Sequence, residues 1–150
     1  VGFRSKDLVI LEEEFSAVSD VFKQMTDDGS YGEKGLVTDA LKALIEAGNE
    51  YDEVIAIGPV VMMKFVSLLT KQYGIKTVVS MNPIMIDGTG MCGCCRLSVG
   101  GKMKFACVDG PDFDGHEVDY DEILKRASTY REFEAKEREA ACNLFKKEVR

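Results

Sequence analysis

The sequence predicts an α/β fold, a mainly parallel sheet with flanking helices, followed by a small hairpin module and a C-terminal helix. Three observations support this. Short, nearly continuous apolar runs recur along the first half, of the kind that strands buried on both faces display. Segments with helical spacing alternate with them, and alternating β and α elements imply a parallel sheet covered by helices. After Met81 glycines and cysteines crowd together and the apolar runs shorten. The expected organisation is therefore 1–81, 82–118 and 119–150. With 150 residues and 45% apolar content the chain can bury a core.

Taken in order, "DLVIL" (Asp7 to Leu11) reads as the first strand, and the carboxylates Glu12 to Glu14 as a helix start, where negative charge suits the helix dipole. "LVTDALKALIEAG" reads as a helix that places Leu36, Val37, Ala40, Leu41, Leu44 and Ile45 on one face before Gly48 ends it. "EVIAIG" (Glu53 to Gly58) and "KTVVSM" (Lys76 to Met81) are the next strands. The helix between them opens at Pro59, which suits a first helical position. Its expected inward stripe is Met62, Phe65, Val66 and Leu69, and Gly74 stops it. From Tyr120 a long charged helix finishes the chain. Ile123, Ala127 and Tyr130 are expected to pack inward, as are Ala141, Leu144 and Phe145, with a solvated middle at Arg131 to Glu139.

The formal charge of −7 argues against a nucleic-acid or anionic-membrane surface, because phosphate binding needs clustered Lys and Arg. No apolar run approaches the roughly 20 residues that span a bilayer, and "VGFRSKD" does not resemble a signal peptide. The expected compartment is cytoplasmic. Five cysteines, four of them in sixteen residues, make poor disulfide arithmetic and reasonable metal-site arithmetic. Cys142 stands apart as an inert helix residue.

Asp87, Cys92, Cys95 and Cys107 follow the spacing X-x4-X-x2-X-x11-X, the plant-type [2Fe–2S] arrangement with aspartate in the first place. Gly88, Gly90 and Gly93 leave that loop free of blocking side chains, so its N–H groups can turn toward sulfur. Downstream, "RLSVGGKMKFAC" reads as a hairpin. A three-residue turn, Gly100 to Lys102, would set Val99 opposite Met103, Leu97 opposite Phe105 and Cys95 opposite Cys107. Cys94 falls between ligands as a bystander. The competing readings are a structural zinc site that adds Asp87 or His116 to the three cysteines, and a redox C-x2-C pair. Zinc ribbons, however, show two C-x2-C knuckles where this chain has one, and a redox pair belongs at a helix N-terminus.

"DGTGMCGCCRLSVGGKMKFACVDGPDFDGHEVD" resembles the C-terminal cluster module of the electron-transfer subunit of dihydroorotate dehydrogenase. It resembles more closely the related subunits of sulfide dehydrogenase and of NADH-dependent ferredoxin:NADP oxidoreductase. "GFRSKDLVILEEE", "TDDGSYGEKGLVTDAL" and "IGPVVMMK" extend the resemblance over essentially the whole chain. The resemblance implies a ferredoxin-reductase-like flavoprotein: a β-barrel that holds FAD, an α/β domain that holds NAD(P)H, and a terminal [2Fe–2S] module. On it, residues 1–81 are the later part of the nucleotide domain, and the barrel and first strand precede Val1. Asp87 and Cys92 would hold one iron, Cys95 and Cys107 the other. The implied role is to pass electrons to a partner flavoprotein or iron–sulfur oxidoreductase subunit. Cysteine holds the first position in the pyrimidine-pathway enzymes, so Asp87 favours the sulfide dehydrogenase and transhydrogenase relatives.

For the nucleotide, "DDGSYGEKG" offers Gly29, Ser30, Gly32 and Gly35 ahead of a helix N-terminus, a seat for phosphate or ribose or else a glycine-rich surface loop. Gly58 and Pro59 form a strand-to-helix turn that the resemblance places near the nicotinamide. Arg4 either meets a phosphate or is solvated. The alternative for the whole chain is a non-catalytic zinc-stabilised interaction module.

Overall fold

A computed structural model describes residues 1–138. Its elements are β1 (Gly2–Phe3), α1 (Glu12–Ala17), β2 (Met25–Thr26), β3 (Glu33–Lys34), α2 (Val37–Glu46), β4 (Glu53–Ile57) and α3 (Val60–Gln72). There follow β5 (Lys76–Ser80), β6 (Arg96–Val99), β7 (Lys102–Phe105), α4 (Ala106–Asp109), β8 (Asp112–Asp114) and α5 (Tyr120–Ala127). β1, β2 and β3 pair in parallel in that order, and β4 pairs in parallel with β5. The mixed α/β architecture with parallel pairing is the one the sequence predicts.

The run Asp7–Leu11 is not a strand. Lys6–Leu8 is a 3-10 turn, Leu11 has φ 55°, and α1 begins at Glu12. The donors a strand would pair are already engaged: Leu8 N–H bonds Ser5 O (3.1 Å), Val9 N–H bonds Lys6 O (3.1 Å), and Lys6 N–H bonds Ser30 Oγ (2.8 Å). Glu12 to Glu14 do open a helix.

α2 half-buries Val37, Ala40, Leu41, Leu44 and Ile45, while Leu36 sits at its N-cap, exposed. Gly48 (φ 90°) and Gly74 (φ 68°) follow the ends of α2 and α3 in the left-handed conformation that glycine adopts without strain. α3 is turned relative to the expected stripe. Its buried face is Met63, Val66, Ser67 and Thr70, and Phe65 is exposed. The reason is polar: Thr70 Oγ1 bonds Val66 O (3.0 Å) and Ser67 Oγ pairs with the Tyr120 hydroxyl (2.8 Å), so two hydroxyl residues are satisfied inside. Pro59 stands at the N-cap, one place before the first helical residue. Nor is β4 buried on both faces. Ala56 packs inward, but Ile55 is 64% and Ile57 70% exposed, because among the described residues β4 has a packed neighbour on one face only.

The hairpin adopts the two-residue turn rather than the three-residue one. Gly100 and Gly101 have φ 57° and 72°, the primed geometry that only a glycine pair enters freely, and the register sets Val99 opposite Lys102 and Leu97 opposite Lys104. The expected pairing of Val99 with Met103 and Leu97 with Phe105 fails because β6 is the inner strand. It takes a second neighbour through the Val99–Val118 bridge and through Asp119 N–H to Ser98 O (2.9 Å). Leu97 is therefore buried while Met103 is exposed.

β8 adds antiparallel to β5, so the segment after Met81 returns to the main sheet. One core runs through both: Met63, Val66 and Val79 pack with Leu97, Phe113, Val118 and Ile123. A polar seam runs alongside. Tyr120 donates to Gly115 O (3.0 Å), Thr77 Oγ1 donates to Thr70 Oγ1 (2.5 Å), and His116 Nε2 meets Thr70 Oγ1 (3.1 Å). Stranding one partner of such a buried bond costs about 1–3 kcal/mol, so the seam ties the cysteine-bearing segment to α3 and β5.

The final helix is interrupted. α5 ends at Ala127, residues 128–130 form a turn, and helix resumes at 131. Ile123 is buried as expected, whereas Ala127 and Tyr130 are exposed. Residues 131–138 are exposed, and Ala141, Cys142, Leu144 and Phe145 lie outside the described residues. Among the described residues no helix is long and apolar enough to cross a membrane.

Candidate metal centre

The loop from Ile84 to Cys95 leaves the end of β5 and passes through three glycines with left-handed backbone, Gly88, Gly90 and Gly93 (φ 76°, 83° and 65°). At Gly90 a side chain would also meet Val108 Cγ2 at 3.2 Å, so the loop can close over the start of α4 only with glycine there. The closure brings Gly90 N–H to the Cys107 sulfur.

The four sequence-selected donors stand as two pairs. In the first, the Asp87 carboxylate accepts Thr89 N–H on Oδ1 (2.9 Å) and Cys92 N–H on Oδ2 (3.1 Å), and it also bonds the Cys92 side chain. In the second, Cys95 and Cys107 share a hydrogen bond. The hairpin register alone would not have made that pair, since Cys95 O takes the N–H of Ala106 (3.2 Å). The turn of α4 swings Cys107 back beside Cys95. Among the described residues no three of His, Cys, Asp or Glu converge on one point at metal-binding reach. His116 faces Thr70, in the seam on α3, and Asp109 is held by Phe105 N–H (2.7 Å) and Lys104 (3.5 Å).

Electrostatics favour negative charge here. The Cys107 N–H and the hydrogen bond from the Cys107 side chain lower the Cys95 thiol below its ordinary value. The Cys107 thiol is pushed up, because it donates to Cys95 and is itself desolvated. One thiolate of the pair thus forms first, stabilised by the other's proton. Cys94 N–H points at the Cys92 sulfur (3.4 Å), so Cys94 serves this loop through its backbone.

Backbone N–H groups, that of Thr89 first, hold the Asp87 carboxyl below the ordinary carboxylate range. A depressed carboxylate stabilises the loop above its unfolded pKa, and that contribution is lost as pH falls through the folded value. In metal-free protein, the protection of the Thr89 and Cys92 amides relative to their intrinsic exchange rates should persist from neutral pH through the ordinary carboxylate range and be lost only below it. Asp87→Asn should remove that acid step. An unchanged step in the variant would assign it to another group.

Three contacts, made by two arginines, escape sequence reasoning. Arg126 of α5 donates to Cys94 O (2.9 Å) and to Arg96 O, and the Arg96 guanidinium donates to Gly93 O (3.1 Å).

The nucleotide candidates lie elsewhere, each beyond the carboxyl end of a parallel strand, where α/β folds place ligands. After β2, Ser30 is tied to Asp28 through both N–H (2.9 Å) and Oγ (2.6 Å) and accepts Lys6 N–H; Gly29, Gly32 and Gly35 all have positive φ. The helix N-terminus beyond them is met by a carboxylate already, as Asp39 Oδ2 accepts Leu36 N–H (2.9 Å). Gly58 and Pro59 turn from β4 into α3, and Asn82 donates to Gly58 O (3.4 Å), which sets that turn beside the root of the cysteine loop. Arg4 O accepts Asp28 N–H (3.3 Å), so the start of the chain abuts the glycine loop.

Residues 82–119 match the family described as the iron–sulfur cluster binding domain of dihydroorotate dehydrogenase B. Among individual proteins, the chain is 56% identical over 137 residues to an uncharacterized protein in the adh 3′ region of Clostridium beijerinckii, covering 91% of this chain and 46% of that one. It is 54% identical over 134 residues to a dihydroorotate dehydrogenase B (NAD(+)) electron transfer subunit homolog of Thermotoga maritima, covering 89% and 47%. A solved chain from the NADH-dependent reduced ferredoxin–NADP oxidoreductase superimposes with TM-score 0.81 at 50% identity, covering 94% of this chain and 50% of that one. The chain thus spans about half the length of the relatives it matches.

Proposed function

We propose that this chain is the nucleotide-domain and cluster-bearing part of an electron-transfer subunit in which NAD(P)H, FAD and a [2Fe–2S] cluster pass electrons to a partner oxidoreductase subunit. The observation that carries the reading is the division of the four donors into two pairs. A single tetrahedral zinc asks for four ligands at one point, whereas a two-iron cluster asks for two at each metal. Asp87 and Cys92 would hold one iron and Cys95 and Cys107 the other, with the glycine loop turning N–H groups toward sulfur. The cluster, when bound, supplies one-electron chemistry; the protein's part is to hold it rigidly and set its potential.

The nucleotide role of Gly29, Ser30, Gly32, Gly35, Gly58 and Pro59 rests on their place beyond strand ends and on the relatives, and FAD belongs to the barrel that the family resemblance implies. A partner surface is supported by the apolar collar around the donors. Ile86 is 74% and Met91 88% exposed, with Ile84, Met85 and Val108 beside them. Exposed apolar groups rimming a functional loop suit a protein partner more than solvent.

Anaerobically prepared protein should contain about two irons and two sulfides per chain. Stoichiometric zinc without sulfide would overturn the proposal in favour of an interaction module.

A further inference from the structure

The peptide units between the cysteines are polarised from behind. The Gly93–Cys94 peptide has its carbonyl on the Arg96 guanidinium (3.1 Å) and its N–H on the Cys92 sulfur (3.4 Å). The carbonyl of the next peptide is gripped as well: Cys94 O takes Arg126 Nη2 (2.9 Å). Arg126 also holds Arg96 O, so its guanidinium grips the carbonyls on both sides of Cys95. Arginine's planar fork suits two acceptors at once, which lysine's point charge does not. A cation on the carbonyl end of a peptide strengthens the positive end that the N–H presents to sulfur.

We infer that Arg126 is a positioning residue for the metal centre: it fixes the backbone of the Cys92–Cys95 loop and raises the reduction potential of the cluster held there. This rests on the iron–sulfur reading above. Reduction adds negative charge to the cluster, so oriented N–H groups and a nearby fixed cation favour the reduced form, and outer-shell hydrogen bonds of this kind set cluster potentials.

The test uses the full chain, reconstituted anaerobically, as parent, Arg126→Gln, Arg126→Lys and the exposed neighbour Lys125→Gln. The midpoint potential is read by EPR-monitored titration. Arg126→Gln should disfavour reduction by about tenfold, which is 59 mV downward for one electron. Arg126→Lys should recover part of that shift, and Lys125→Gln should move the potential far less. An unchanged or raised potential in Arg126→Gln, or an equal shift in Lys125→Gln, overturns the inference. If Arg126→Gln does not retain iron, Arg126→Lys decides: a lowered potential supports the role and a parental one overturns it. A second readout needs no metal. Amide exchange at Cys94, whose N–H meets the Cys92 sulfur, should be faster in metal-free Arg126→Gln than in the metal-free parent, and equal rates would sink the anchoring role. A parent without iron and sulfide removes the cluster reading, while this metal-free comparison still decides whether Arg126 holds the loop.

Discussion

Cys92→Ser, Cys95→Ser and Cys107→Ser are each expected to drop the iron content from about two per chain to near zero, while Cys94→Ala keeps it. Thiolate is a soft ligand that ionises near neutral pH, and a serine hydroxyl is neither, so one exchange leaves an iron without its donor. The fold should survive. At Cys95, which is buried in the core, a serine oxygen can still accept the Cys107 N–H. Cys94 is different because its contributions are both main-chain, an N–H to the Cys92 sulfur and a carbonyl to Arg126, and alanine preserves both. Iron and sulfide analysis with visible and EPR spectra distinguishes the cases. Loss of iron in Cys94→Ala would put Cys94 among the ligands, and full iron in Cys95→Ser would remove the second pair from the site.

The parts of this protein that were legible in its sequence are those governed by local rules. β4, β5, α2 and α3 announced themselves through apolar runs, helical spacing and the stops at Gly48 and Gly74, none of which needs a distant partner. The donor set was legible for the same reason, since Asp87 to Cys107 is one short stretch. What failed depended on neighbours. The face of α3 was misread because Ser67 and Thr70 are buried against Tyr120, Thr77 and His116, and hydropathy cannot show that a hydroxyl will find a bond. The hairpin register was misread because the inner position of β6 is set by Val118 and Asp119, some twenty residues on. Asp7 to Leu11 looked like a strand because its backbone donors could not be known to be engaged by Ser5, Lys6 and Ser30. Arg126 was hidden by a sufficient local explanation: a basic residue in the last turn of a helix already suits the dipole. Only the folded chain brings it to the cysteine loop.

Asp87 holds the position where the spacing would place a cysteine, and substitutions there separate a ligand from a turn residue. The turn role is real, since Oδ1 accepts Thr89 N–H two residues on, as an aspartate ahead of glycine commonly does. Yet Oδ2 reaches Cys92, five residues away, so the carboxylate stands against the first cysteine of the set rather than closing a turn alone. The nearest rival is occupied: Asp109 is fastened to Phe105 and Lys104. Asp87→Cys should keep a two-iron cluster with changed EPR parameters and potential, because thiolate donates more electron density than carboxylate. Asp87→Ala should leave the cluster labile, losing iron over the course of a purification that the parent survives. Asp87→Asn is the sharpest variant. Its amide oxygen can still accept the Thr89 N–H, so a turn residue would be replaced almost silently, but a neutral amide is a poor ligand for iron. Parental spectrum, potential and iron retention in Asp87→Asn and Asp87→Ala would make Asp87 a turn residue and send the search for the fourth ligand to Cys94. A cluster lost or shifted in both, and held in Asp87→Cys, assigns the carboxylate to iron.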